Sequence, residues 1–132
     1  MIFPITTAFY AGLLGLIHVG LTGWVIGGRL STNTLFGDGN DNSLFKRIRS
    51  QGNFTENVPL ALVLIGLLEA AGGGHTLVQT LLIVLVIARI LHPIGMFAPK
   101  NSPRQFACRG GGILVTLGVI AVAAIALLIR TA

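Results

Sequence analysis

Apolar residues run almost unbroken through four stretches, residues 9–28, 57–71, 76–98 and 110–129, and the polar residues collect between them. A helix needs roughly 20 residues to cross about 30 Å of hydrocarbon, and each stretch comes near that length. The runs are apolar on all sides, whereas the strands of a membrane β-barrel alternate apolar and polar residues. The pattern therefore predicts an all-α fold: a four-helix transmembrane bundle in a single domain over residues 1–132, with helices near 7–29, 44–72, 76–98 and 109–130.

The punctuation between the runs sets the connections. Residues 36–43 are dense in turn formers and read as an exposed loop after helix 1. A calcium loop opening at Asp38 is excluded, because Ser43 stands where that loop needs Gly and Arg49 where it needs Glu. Ser43 is the expected N-cap of helix 2, which then runs from Leu44 for about 42 Å at roughly 1.5 Å per residue and projects beyond the hydrocarbon. Gly72-Gly73-Gly74 makes a turn short enough to leave helices 2 and 3 as antiparallel neighbours. Glu69 and His75 flank it at the membrane surface, where solvation is their expected role. Pro99 and Pro103 break the chain after helix 3. Gly23 and Gly27 form a G-x-x-x-G pair, a weak signal for helix contact, and His18 in helix 1 reads as a helix-packing hydrogen bonder.

Composition agrees with a membrane protein: 53% of the 132 residues are hydrophobic and only 10% charged, against about a quarter charged in soluble domains. The net charge of +5 is concentrated. Arg29, Lys46, Arg47 and Arg49 lie in or near the first connection, and Lys100, Arg104 and Arg109 in the third. The positive-inside rule then makes those two connections cytoplasmic and sends both termini to the other side. Basic residues at membrane edges, with no soluble recognition module, argue against a nucleic-acid partner. The N-terminus lacks the basic region of a signal peptide, so helix 1 is expected to be retained. Asn53-Phe54-Thr55 matches a glycosylation sequon but falls on the expected cytoplasmic side. No metal is expected, since His18, His75 and His92 have no paired spacing and Cys108 stands alone.

Candidate chemistry begins with Arg49, Asn53 and Glu56, spaced i, i+4, i+7 on one narrow helical face. Such a stripe is costly at membrane depth. Helix 3 carries Arg89 and His92 inside its apolar run, and burying an arginine there costs on the order of 2.5–3.5 kcal/mol, so a partner is expected. Glu56 and His92 are equidistant in sequence from Gly74, with Arg89 one turn nearer, so Glu56 is placed to meet Arg89 or His92. Pro59 and Pro93 each free a backbone carbonyl at this level. Two readings stay open: a polar cavity for a small ligand with carboxylates and an amine, or an ion pair that locks helix 2 to helix 3.

Arg49-x-Gln51-x-Asn53-x-x-Glu56, then Pro59, Ala88-Arg89-x-x-His92 and Pro103-Arg104, resemble the MAPEG family of membrane proteins in eicosanoid and glutathione metabolism, and Gly37-Asp38-Gly39 resembles its bacterial branch. The resemblance spans roughly residues 8–130 and is strongest over 36–109. It implies a homotrimer of four-helix bundles in the bacterial inner membrane, with glutathione as co-substrate bound between subunits near the cytoplasmic face. By the same resemblance Arg49, Asn53 and Glu56 would hold the tripeptide's carboxylate and amino groups, Arg29 and Arg89 would support the site, and His92 would line it. Arg104 would be the catalytic arginine, lowering the thiol pKa so that the nucleophile stays ionised. Family tyrosines are missing: Asn57, Met96 and Cys108 stand near their positions.

The implied activity is glutathione transfer or peroxide reduction, with lipophilic small molecules arriving from the bilayer as partners. A noncatalytic ligand-binding protein of the same fold is the alternative. A small transporter fits less well, since the polar cluster lies near one membrane face and no inverted repeat is visible.

Overall fold

The computed structural model describes residues 2–132. Its elements are α1 (Ile5–Thr32), α2 (Asn42–Ala70), α3 (His75–Met96), a π-helical turn (Gln105–Gly110) and α4 (Gly111–Thr131), which continues that turn. Among the described residues there is no strand. All four helices, the last taken with its π-helical lead-in, are long and apolar enough to cross a membrane.

The ends of these helices differ from expectation for reasons of capping. Asp41, rather than Ser43, caps α2: its side chain accepts from the Leu44 N–H at 2.7 Å. A carboxylate at an N-terminus satisfies an orphan donor and also meets the positive end of the helix dipole. Pro103 opens a helix as well as ending a connection. Ser102 Oγ accepts from the Gln105 N–H at 3.2 Å, and Gln105 Oε1 accepts from the Asn101 N–H at 2.9 Å. Proline suits a first helical turn because its missing N–H would be unpaired there in any case. Pro59 and Pro93 are accommodated inside continuous helices.

At the end of the bundle opposite Arg29, Lys46 and Arg104, α1 has no side-chain cap of its own. Glu69, from the last turn of α2, supplies one. It accepts from Thr6 N–H at 2.9 Å, Thr7 N–H at 2.8 Å and the Thr7 hydroxyl at 2.7 Å. Glu69 is thus a structural clamp between α1 and α2, not a merely solvated carboxylate, while His75 is exposed at the start of α3. Glu69→Ala should lower stability by about 1–2 kcal/mol, the scale of a lost N-cap, with Glu69→Gln recovering only part of it. Thermal unfolding in detergent measures this, and an unchanged midpoint would contradict the clamp. Arg130 ties the same end together by donating from Nε to the Ala71 carbonyl at 2.8 Å.

The helix α2 packs against α1, α3 and α4, while α1 and α4 do not touch and so occupy opposite corners. Leu14, Phe54, Ala61, Ile65, Leu82 and Val119 belong to the buried core between them. Lipid is as apolar as such side chains, so close packing and polar contacts, rather than escape from water, hold membrane helices together. Gly112 shows the closeness: a Cβ there would lie 3.0 Å from the Ala88 carbonyl oxygen and 3.1 Å from the His92 Cβ. Gly23 and Gly27, by contrast, have nothing within 4 Å of a Cβ position, so no other helix of the chain packs closely on the G-x-x-x-G pair there. His18 stacks on Phe54 with ring centroids 5.8 Å apart, an aromatic contact where a hydrogen bond was expected.

Candidate functional site

The basic residues at one end of the bundle divide by what they touch. Arg29, in the last turn of α1, donates through Nη1 to the carbonyls of Thr34, Leu35 and Gly37, the last at 2.8 Å. It braces the following loop and makes no bond to the polar stripe. Arg47 donates to the Trp24 carbonyl at 3.0 Å and lies over the Trp24 ring. Lys46 lies over Phe97, which itself packs on Trp24 with centroids 5.1 Å apart. These aromatic and cationic contacts join α1, α2 and the end of α3. Lys100, Arg104 and Arg109 are exposed, and their side chains make no hydrogen bond among the described residues. Arg104 sits in the turn braced by Ser102 and Gln105, which fixes its backbone while its guanidinium remains free.

The stripe on α2 has two layers. Arg49 and Glu56 form an ion pair, Nη1 to Oε1 at 3.5 Å, with side chains 47% and 57% exposed. Between them in sequence, Asn53 turns inward, and its Oδ1 accepts from Arg89 Nη2 at 2.8 Å. Arg89 is 1% exposed. Its Nη1 donates to Thr116 Oγ1 at 3.3 Å, and its guanidinium lies 5.8 Å from the centre of the Phe54 ring. Thr116 in turn donates to the Gly112 carbonyl at 2.7 Å.

Thus Arg89 meets Asn53 and Thr116, and Glu56 meets Arg49, whereas the sequence placed Glu56 opposite Arg89 or His92. Counting residues from the turn fixes the level of a residue along the bundle but not the side of the helix that faces inward. Phe54, buried beside Arg89, marks the inward side, and Glu56 falls past it. His92 is buried beside α4, 2% exposed, with no partner for Nδ1. The buried guanidinium has no carboxylate bonded to it among the described residues, so its charge is held only by an amide oxygen, a hydroxyl and a ring face.

Sequence reasoning missed Thr116 and Phe54. Thr116 had a signal, being the lone polar residue in the apolar run 110–129. Phe54 had none, since an aromatic residue entering a span is unremarkable. At the positions of the missing tyrosines, Asn57 donates to its own helix at the Asn53 carbonyl, 2.9 Å, Met96 is buried and Cys108 is half-buried.

Chemically, the arrangement offers cationic and anionic groups side by side on a lateral face of a membrane helix, with further positive charge buried behind them. Neither lipid tails nor a monomer's own core satisfies such a face.

The MAPEG family profile matches residues 7–129. The chain is also 31% identical over 110 residues to "Inner membrane protein YecN" of Escherichia coli (strain K12), covering 83% of this chain and 80% of that protein. The YecN protein of Escherichia coli O6:H1 (strain CFT073) matches to the same extent. No solved structure matches the chain. A family match across nearly the whole length, on a four-helix membrane fold, settles the classification: the chain is an integral membrane protein that belongs to the MAPEG family.

Proposed function

We propose that the protein is a membrane-embedded glutathione-dependent transferase or peroxidase that presents the glutathione thiolate to lipophilic electrophiles. One observation carries the reading: Arg49, Asn53 and Glu56 form a half-exposed polar stripe on the outside of a spanning helix, backed by the buried and uncompensated charge of Arg89. Glutathione has two carboxylates, an amine and a thiol, and this set of cations, amide and carboxylate complements it. Arg29, Arg104 and Arg109 add positive potential at the same end of the bundle, which favours an anionic ligand. Family membership supports the same ligand.

In this reading the stripe is covered by a neighbouring copy of the chain in a homotrimer, and glutathione lies at the junction. The basic end faces the cytoplasm and the termini face away, by the distribution of Lys and Arg. The membrane is the inner membrane of a bacterium, as the name of the YecN relatives suggests. Arg104 is the catalytic residue. Its free guanidinium stabilises the thiolate, and in conjugation the thiolate sulfur attacks the electrophilic carbon, forming a carbon–sulfur bond as the leaving group departs with its electron pair.

A noncatalytic binding role is the second reading, favoured by Asn57, Met96 and Cys108, which provide no aromatic hydroxyl where the family has tyrosines. Turnover separates the two. Purified protein in detergent should conjugate glutathione to a generic aryl halide, Arg104→Ala should lower kcat roughly a hundredfold, the scale of one lost anion-stabilising donor, and Glu56→Ala should raise KM. Conjugation that is unchanged in Arg104→Ala would reject Arg104 as the thiolate-stabilising group. Binding without turnover would establish the second reading.

A further inference from the structure

We infer that Thr116, on α4, is a positioning residue for the ligand: it holds Arg89 so that Asn53 presents only N–H donors, which take a carboxylate or carbonyl oxygen of glutathione while the amine goes to Glu56. The inference rests on the glutathione reading above. It assigns a role to a helix that contributes nothing to the polar stripe itself.

The orientation follows from donor and acceptor counts. A guanidinium has five N–H donors and no acceptor. The Asn53 atom 2.8 Å from Arg89 Nη2 is therefore its oxygen, and a flipped amide would set N–H against N–H. Thr116 is constrained in the same way. Its single hydroxyl proton is committed to the Gly112 carbonyl at 2.7 Å, so toward Arg89 Nη1 it can only accept, at 3.3 Å. The Phe54 ring closes a further side of the guanidinium. Gly112 admits this geometry because its missing side chain lets α4 approach Ala88 and His92 of α3.

Consequently Asn53 has one orientation, with Oδ1 inward and Nδ2 left for a group outside the chain. Among the described residues no acceptor bonds to that Nδ2. Glu56 is the sole carboxylate of the stripe and uses only Oε1 toward Arg49, so the ammonium charge of the ligand has one place to be met. Thr116 is 1% exposed and separated from the ligand by Arg89 and Asn53, so it acts through them and touches nothing that reacts.

The test is calorimetric titration of glutathione, and of its two mono-amidated forms, into full-length wild type, Thr116→Val and Thr116→Ser in lipid nanodiscs. Valine keeps the shape and removes the acceptor, whereas serine keeps the hydroxyl. Thr116→Val should weaken glutathione binding about tenfold, the scale of a hydrogen bond to a charged group, and Thr116→Ser should bind as wild type does. Amidation of one of the two carboxylates should weaken binding to wild type much more than to Thr116→Val, a coupling that general loosening of the bundle would not produce. Equal loss for every form of the ligand, or no loss in Thr116→Val, would overturn the positioning role while leaving glutathione as the ligand. Absence of binding to folded wild type would overturn the glutathione reading and the assignment of Asn53 and Glu56 with it.

Discussion

Gly95→Ala should destabilise the folded protein strongly, by about 3 kcal/mol or more. At this position α3 crosses the π-helical turn Gln105–Gly110, and an added Cβ would lie 2.7 Å from the Arg109 Cα, 2.7 Å from the Cys108 carbonyl carbon and nearer still to the Arg109 nitrogen. All three are backbone atoms, which cannot swing aside as the end of a long side chain can. Overpacking typically costs about 1–3 kcal/mol and occasionally more. A clash of this kind belongs at the upper end, against a total stability of roughly 5–15 kcal/mol for a native domain. The alternative to unfolding is displacement of the turn, which follows Arg104 and leads into Gly112 and Thr116. Any Gly95→Ala protein that survives should therefore lose turnover as well. Gly118→Ala is the control, since nothing lies within 4 Å of its Cβ position. Yield of monodisperse protein and its thermal midpoint measure the effect. A Gly95→Ala protein that melts with wild type would mean that the turn does not sit on α3 as described.

Asn53→Asp should separate stability from binding. The substitution nearly conserves shape and converts the 2.8 Å contact with Arg89 from amide–guanidinium to carboxylate–guanidinium. Arg89 then gains the counter-charge it lacks, so the thermal midpoint should hold or rise. Binding should respond in the opposite direction. The two N–H donors of Asn53 disappear, and a negative charge stands where a carboxylate or carbonyl oxygen of glutathione would lie. Loss of the donor and like-charge repulsion together should weaken affinity by about a hundredfold or more, on the order of 3 kcal/mol. Asn53→Leu supplies the contrast: it leaves a buried guanidinium without its amide acceptor and should cost about 1.5–3 kcal/mol of stability, the scale of a hydrogen bond to a charged group. If Asn53 served only to lock α2 against α3, Asn53→Asp would bind glutathione as well as wild type does.

Particular residues show how much of this could be read from the chain. The four spans were legible because uninterrupted apolar runs of this length have few other uses in a protein. Their ends were less so. Asp41 displaced Ser43 as the α2 cap, and capping residues only two positions apart look equally suitable before the turn geometry is known. The polar level was legible from the glycine turn, yet Asn53 and Glu56 exchanged roles because their rotation about the helix axis depends on Phe54 packing against Arg89. Glu69 was invisible as a clamp, since the helix end it caps is more than sixty residues away in sequence and leaves no local spacing. Thr116 stood out only by polarity. A hydroxyl in a span commonly bonds its own helix, and Thr116 does so through Gly112 while also accepting from Arg89.

The measurement closest to the central claim is equilibrium binding of radiolabelled glutathione to wild type in lipid nanodiscs, with Glu56→Ala alongside. The stripe of Arg49, Asn53 and Glu56 as a glutathione site predicts saturable binding to wild type, displaced by unlabelled glutathione and sharply weakened in Glu56→Ala. No saturable binding to folded wild type, or binding indifferent to Glu56, would contradict it.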